Sequence, residues 1–345
     1  MPPSVSQKKH GYRWALFGVL LCSLVVVLGA FTRLVDAGLG CPDWPGCYGH
    51  LTWPSSAESV ARAEALFPET PVEHDKTWPE MVHRYFAGTL GLVLLGLAIA
   101  VWRNASRAPA MRYPKWHATA LVGLVIVQAA FGMWTVTLKL WPQVVTAHLL
   151  GGFATLSVLW LLALRLQNQP WSLAANSYRR LRALRPLIWM TLVAVVLQIA
   201  LGGWTSANYA ALACTDFPTC HGEWWPDMDY YRAFNLAQSV GPNYLGGLLE
   251  GDARTAIHMT HRIGALVVSV MLCVLMVRAW RVSLRRCRRL IGLIGLLLVV
   301  QISLGISNVL ASLPLSVAVA HNAVGALLLL SLVTLLYRSY SAIRI

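Results

Sequence analysis

Residues 80–102 read EMVHRYFAGTLGLVLLGLAIAVW, and residues 258–280 read HMTHRIGALVVSVMLCVLMVRAW. Each stretch holds a His-Arg pair, His83-Arg84 or His261-Arg262, followed by an apolar run. Such runs approach the ~20 residues that a helix needs to cross a bilayer. Six more lie near residues 14–33, 117–138, 143–164, 186–206, 290–310 and 315–337. With 82–102 and 257–277 they give eight predicted transmembrane helices and an all-α integral membrane fold. The composition agrees: 57% of the 345 residues are hydrophobic and 12% are charged, a balance foreign to soluble domains. The first run follows Lys8, Lys9 and Arg13. It is longer than the ~7–15-residue core of a signal peptide and lacks a small-residue cleavage pattern, so it reads as a retained helix.

Charge sets the orientation. The net charge of +14 invites a nucleic-acid reading, but the charges are segregated by loop. Basic clusters lie at residues 8–13, 103–115, 165–185 and 278–289, with Arg338 and Arg344 near the end. All fourteen Asp and Glu residues fall in segments 34–80 and 207–256. The positive-inside rule then puts both termini and the basic loops in the cytoplasm and the acidic loops on the outer side.

A repeat organises the chain. A shift of 173 residues carries Thr32 onto Thr205, Cys41 onto Cys214, Cys47 onto Cys220, Gln128 onto Gln301, Gly132 onto Gly305, His148 onto His321 and Gly152 onto Gly325. His83 reaches His261 with a shift of 178, so the second outer loop is five residues longer. The expected architecture is two tandem four-helix bundles in the same orientation: residues 1–167, a cytoplasmic linker at 168–185, and residues 186–345.

Each unit carries two histidines near the outer ends of helices, in Glu80-Met-Val-His83-Arg84 and Ala147-His148, then in His258-Met-Thr-His261-Arg262 and Ala320-His321. An intramembrane histidine is costly and marks a functional site by default. As repeat-related pairs, His83 with His148 and His261 with His321 read as axial ligands of haem iron, one haem per unit. Arg84 and Arg262, which follow two of the ligands, read as partners of anionic haem propionates. Glu80 breaks the symmetry, because His258 fills its slot in the second unit. A carboxylate in one unit only points to chemistry in the first unit and a passive redox haem in the second. The pairs Cys41/Cys47 and Cys214/Cys220 lie in outer loops and read as structural disulfides or as redox-active pairs. Cys22, Cys273 and Cys287 lie in or beside helices and read as packing residues.

The run Thr32-Arg-Leu-Val-Asp-Ala-Gly-Leu-Gly-Cys41-Pro-Asp-Trp-Pro-Gly-Cys47-Tyr-Gly, followed by Glu80-Met-Val-His83-Arg84, resembles the haem A synthase family. So do the two Ala-His segments and the eight-helix tandem layout. The resemblance implies oxidation of the C8 methyl group of haem O to a formyl group. It implies His261 and His321 as ligands of a haem b cofactor, and His83 and His148 at the haem O site. It implies Glu80 as the catalytic carboxylate, and it matches both Cys pairs to loop cysteines found in only some branches. Water-derived oxygen would enter in successive hydroxylations, with electrons leaving through the haem b. The partners implied are haem O, a haem O synthase, cytochrome oxidase assembly factors and the lipid bilayer. Self-association is left open, and no nucleic acid is expected.

Two other classes compete. A non-catalytic bis-histidine haem b electron carrier explains the histidines but not Glu80 opposite His258. A transporter also uses parallel repeats, yet no intramembrane carboxylate network or broken helix is evident.

Overall fold

The computed structural model describes residues 8–345; of the basic tail, residues 1–7 lie outside the described residues. In chain order the helices are α1 (Tyr12–Leu34), α2 (Ala57–Leu66), α3 (His74–Arg107), α4 (Lys115–Thr137), α5 (Pro142–Gln167), α6 (Ala175–Ala183), α7 (Arg185–Ala207), α8 (Tyr230–Ala233), α9 (Gly251–Trp280), α10 (Arg285–Leu310) and α11 (Leu315–Ser341). Among the described residues, eight helices are long and apolar enough to span a membrane: α1, α3, α4, α5, α7 (with α6 leading into it), α9, α10 and α11. The shortest of the eight has 23 residues, or about 34 Å at the α-helical rise. Large apolar side chains such as Leu20, Leu92, Ile126 and Leu266 stand more than 60% exposed on these helices. That surface suits hydrocarbon rather than water. The chain is therefore an all-α, multi-pass membrane protein.

In the first half, α1 packs against α3 and α5, and α4 packs against the same two helices. In the second half, α7 packs against α9 and α11, and so does α10. The seam joins α1 and α5 to α7 and α11. It is apolar along its length, with Leu156, Leu159, Leu162, Leu332 and Leu335 fully buried in one continuous core. A few polar contacts fix its register. Trp160 Nε1 donates to Thr334 Oγ1 (2.7 Å), and the Tyr337 hydroxyl donates to the Leu164 carbonyl (3.3 Å). At the basic end, buried Arg338 donates to Gln167 Oε1 (2.6 Å) and to the Gln169 carbonyl. Two residues on each side, β1 (Ser172–Leu173) and β2 (Ile343–Arg344), pair in parallel there.

At the other end, Arg33 of α1 crosses the seam. Its Nη1 donates to the Tyr209 hydroxyl (2.8 Å) and its Nη2 to the Ser206 carbonyl (2.6 Å), while Tyr209 donates to Asp36 (2.8 Å). The long second loop also reaches across. Trp141 and Gln143, at the start of α5, donate to the carbonyls of Gln238 and Leu236.

The helices exceed the apolar runs that predict them, most of all at α3 and α9. Hydropathy starts these at residues 82 and 257, whereas the helices start at His74 and Gly251. Glu80 and His258 are thus nearly two turns inside their helices and not at their openings. Polar residues extend α3 because its first turns pack under the disulfide-closed loop: Thr77 and Glu80 are buried, and Lys76 pairs with Glu73 at 2.6 Å. The first acidic segment also forms α2, whose Ser56 hydroxyl accepts the Ser59 amide proton at its N-terminus.

Candidate functional site

Short loops cover the acidic ends of the helices, each closed by a disulfide. Cys41 is bonded to Cys47 and Cys214 to Cys220. Within each loop an aspartate ties the turn. Asp43 accepts the amide protons of Tyr48 (2.6 Å) and Gly49 (2.9 Å), and Asp216 those of His221 (2.8 Å) and Gly222 (3.0 Å). The Thr219 hydroxyl also donates to Asp216 (2.7 Å), and these donors hold its carboxyl well below the usual carboxylate range.

The arginine after each α3 or α9 histidine reaches up into the loop. Arg84 Nη1 donates to the carbonyls of Asp43 (3.0 Å), Pro45 (3.3 Å) and Gly46 (2.5 Å). Arg262 donates to the carbonyls of Thr219 (2.9 Å), Asp216 (2.9 Å) and Cys214 (3.3 Å). The sequence predicts these arginines at haem propionates; the contacts they make here are with loop carbonyls. Their donors clamp the disulfide loops onto the helices.

Glu80 stands beneath the first loop, 5% exposed. One carboxylate oxygen accepts from Arg84 Nη2 (2.5 Å), and the other accepts the Cys41 amide proton (2.9 Å). His258 occupies the same place beneath the second loop. Its Nδ1 faces the Cys214 amide (3.2 Å) and its Nε2 faces Arg262 Nε (3.3 Å). The slot thus presents two N–H donors in both halves. A carboxylate satisfies both, whereas a neutral imidazole has only one acceptor nitrogen.

One turn deeper lie His83 on α3 and His261 on α9, facing His148 on α5 and His321 on α11. Each ring rests on a glycine of a neighbouring helix. A Cβ on Gly29 of α1 would come within 2.9 Å of His83 Cε1. One on Gly132 of α4 would come within 3.2 Å of His148 Cε1. The same holds for Gly202 with His261 (3.3 Å) and Gly305 with His321 (3.2 Å). These glycines form a cradle in which no side chain competes with the ring. The repeat alignment pairs Gly132 with Gly305, but their task becomes visible only when the helices are packed.

The donor set suits haem iron. Each half brings two imidazoles together within a helix bundle, where cofactors of this kind are held. The Nδ1 atoms of His83, His148 and His321 are buried without a hydrogen-bond partner. An unpaired buried nitrogen is costly, and ligation at the ring changes that balance.

Sequence comparisons place this arrangement among known proteins. A model of the cytochrome oxidase assembly protein family matches residues 12–333. The haem A synthase of Shewanella oneidensis is 46% identical over 325 residues, covering 94% of this chain and 95% of that protein. The haem A synthases of Caulobacter vibrioides and Rhizorhabdus wittichii are 26% and 28% identical, covering 93% and 92% of this chain and 93% and 91% of their own. The match takes in both disulfide loops and the histidines at 83, 148, 261 and 321, and the chain belongs to the cytochrome oxidase assembly protein family.

Proposed function

We propose that this protein is a haem A synthase, which oxidises the C8 methyl group of haem O to a formyl group. The observation that carries the reading is the contrast between Glu80 and His258. The two residues occupy the same slot under the same loop, and only the first half holds a carboxylate there. The first half, residues 1–167, is then the substrate unit, with His83 and His148 holding haem O. The second half, residues 186–345, holds haem b through His261 and His321, joined to the first by the linker at 168–185. When bound, the haem b supplies a one-electron redox centre.

The chain's own residues do the rest. Oxidation of a methyl group to a formyl group takes its oxygen from water and releases protons and electrons. Glu80 is the group that takes up a proton or opposes positive charge at the carbon being oxidised. Arg84 and the Cys41 amide hold that carboxylate in one orientation against the disulfide loop. The disulfide loop covers it and limits access of bulk water. Propionate binding by Arg84 and Arg262 requires these arginines to exchange loop carbonyls for the anionic groups. The basic ends of the helices face the cytoplasm of a bacterial inner membrane, and the disulfide loops face the periplasm. A haem O synthase and oxidase assembly factors are the partners this activity calls for.

The test is Glu80→Gln, which keeps an acceptor for the Cys41 amide and removes the negative charge. Production of haem A should fall by about 10²- to 10⁴-fold, the usual weight of a general acid–base group. Haem O should still be bound. A normal yield of haem A from this variant would refute the assignment of Glu80.

A further inference from the structure

The basic ends of α3 and α9 carry matching surfaces that the haem chemistry does not use. On α3, Leu95, Ile99 and Arg103 recur every four residues and form one stripe along the helix. The offset of 178 carries them onto Cys273, Val277 and Arg281 of α9. Both stripes are exposed, and each lines a groove on the side of its helix. Thr119 and Val122 of α4 also line the first groove, and Val274 and Arg278 complete the second. A tryptophan precedes the arginine in each stripe, Trp102 in one half and Trp280 in the other. Lys115 of α4 lies over the Trp102 ring at 4.7 Å, and Arg288 of α10 over the Trp280 ring at 6.0 Å. The offset of 173 carries Lys115 onto Arg288. The same corner is thus built twice, from an apolar groove, a tryptophan at its head and cations around it.

We propose that each corner binds an anionic phospholipid, with an acyl chain along the groove and the phosphate at the cations. The lining matches both parts of such a ligand. Leu95 and Ile99, or Val274 and Val277, present a hydrocarbon floor. Arg103, or Arg278 with Arg281, end it with charge that nothing in the protein neutralises. All fourteen Asp and Glu residues lie in segments 34–80 and 207–256, at the opposite ends of the helices. Among the described residues, the side chains of Arg103, Arg278 and Arg281 accordingly make no ion pair or hydrogen bond. A guanidinium offers paired donors that match phosphate oxygens. Basic pockets beside transmembrane helices hold anionic head groups, and an indole suits the head-group level. Membrane topology asks only for positive charge in these loops. It does not ask for a groove and a tryptophan–cation pair at equivalent places in both halves. The second corner also has Arg278, where the offset of 178 puts Ala100 in the first, so the second holds its lipid more tightly.

The test is native mass spectrometry of the full-length protein released from bilayer discs of mixed phosphatidylglycerol and phosphatidylcholine, counting the lipids retained. The wild type should retain one phosphatidylglycerol per groove and shed phosphatidylcholine. Arg103→Gln with Lys115→Gln should lose the first of these lipids, and Arg278→Gln with Arg281→Gln the second. One cation near an anionic lipid is worth about fivefold in binding, so each double variant should weaken its corner by about 25-fold. Ile99→Trp fills the first groove without touching a charge and should lose the same lipid as the first double variant. Arg179→Gln with Arg182→Gln removes two exposed cations of α6, outside both grooves, and should retain both lipids. Equal retention of the two phospholipids by the wild type would overturn the inference. So would equal loss from the α6 variant, which leaves only the general attraction of a positive face, or full retention by Ile99→Trp.

Discussion

Glu80 illustrates what a single residue discloses and what it hides. Its type and its spacing from His83 mark it in the sequence, and the repeat marks it again by setting His258 opposite. Nothing in the sequence shows that its two oxygens are already engaged by Arg84 and Cys41, because those contacts depend on how the loop folds back over α3. The pair is buried, with side chains 13% and 6% exposed for Arg84 and Glu80. Removing one partner of a buried ion pair costs about 3–5 kcal/mol, since the remaining charge is left uncompensated. Arg84→Ala should lower the thermal unfolding midpoint of the detergent-solubilised protein and loosen the first loop, with faster proteolysis between residues 41 and 53. The variant also reads the propionate role: full haem occupancy and an unchanged haem potential would leave Arg84 with the loop alone. An unchanged midpoint would show that the clamp contributes nothing.

At the scale of elements, the apolar runs locate all eight long helices and miss their polar ends, by eight residues at the start of α3 and five at its end. Hydropathy registers the part of a helix that faces hydrocarbon. It is blind to turns such as His74–Pro79, which are helical because they pack beneath a loop. Glycines were legible only as members of the repeat. Their function follows from the crossing of α4 with α5 and of α1 with α3, which brings an imidazole against bare backbone. Gly132→Ala should therefore push the His148 ring off its position and empty the first-half haem site, read as loss of haem per polypeptide. Gly88 of α3 provides the contrast, because a Cβ there would meet nothing within 4 Å. Gly88→Ala should retain haem in full. Equal haem content in Gly132→Ala and Gly88→Ala would contradict the cradle. The loops behave as a third kind of element. Their disulfides close short rings worth about 2 kcal/mol in the chain-entropy description, and each ring carries the amide that faces Glu80 or His258. Replacing both Cys41 and Cys47 by Ser should lower haem A yield while leaving haem b in place. Unaltered haem A yield would separate the loop from the chemistry.

Across the whole molecule, the two halves repeat one hydrogen-bonding plan and differ at a few positions. The recurring parts are the disulfide loop, its aspartate, the arginine clamp and the histidine on its glycine. Among the positions that differ, Glu80 against His258 sits directly under the loop. The repeat was legible in the sequence because a fixed offset exposes it, whereas the hydrogen bonds that it carries were not, because they depend on how the loops fold over the helices. The seam was not, since the Arg33–Asp36–Tyr209 network and the reach of residues 236–238 onto α5 join positions that no pattern links. Two similar halves with different roles form the central claim, and the haems bound by the protein report on it directly. The measurement is reversed-phase separation of the haems extracted from protein purified from a host that supplies haem O. The account predicts haem B together with haem O, hydroxylated haem O or haem A. Haem B alone, at two per chain, would contradict it and leave a bis-histidine electron carrier in its place.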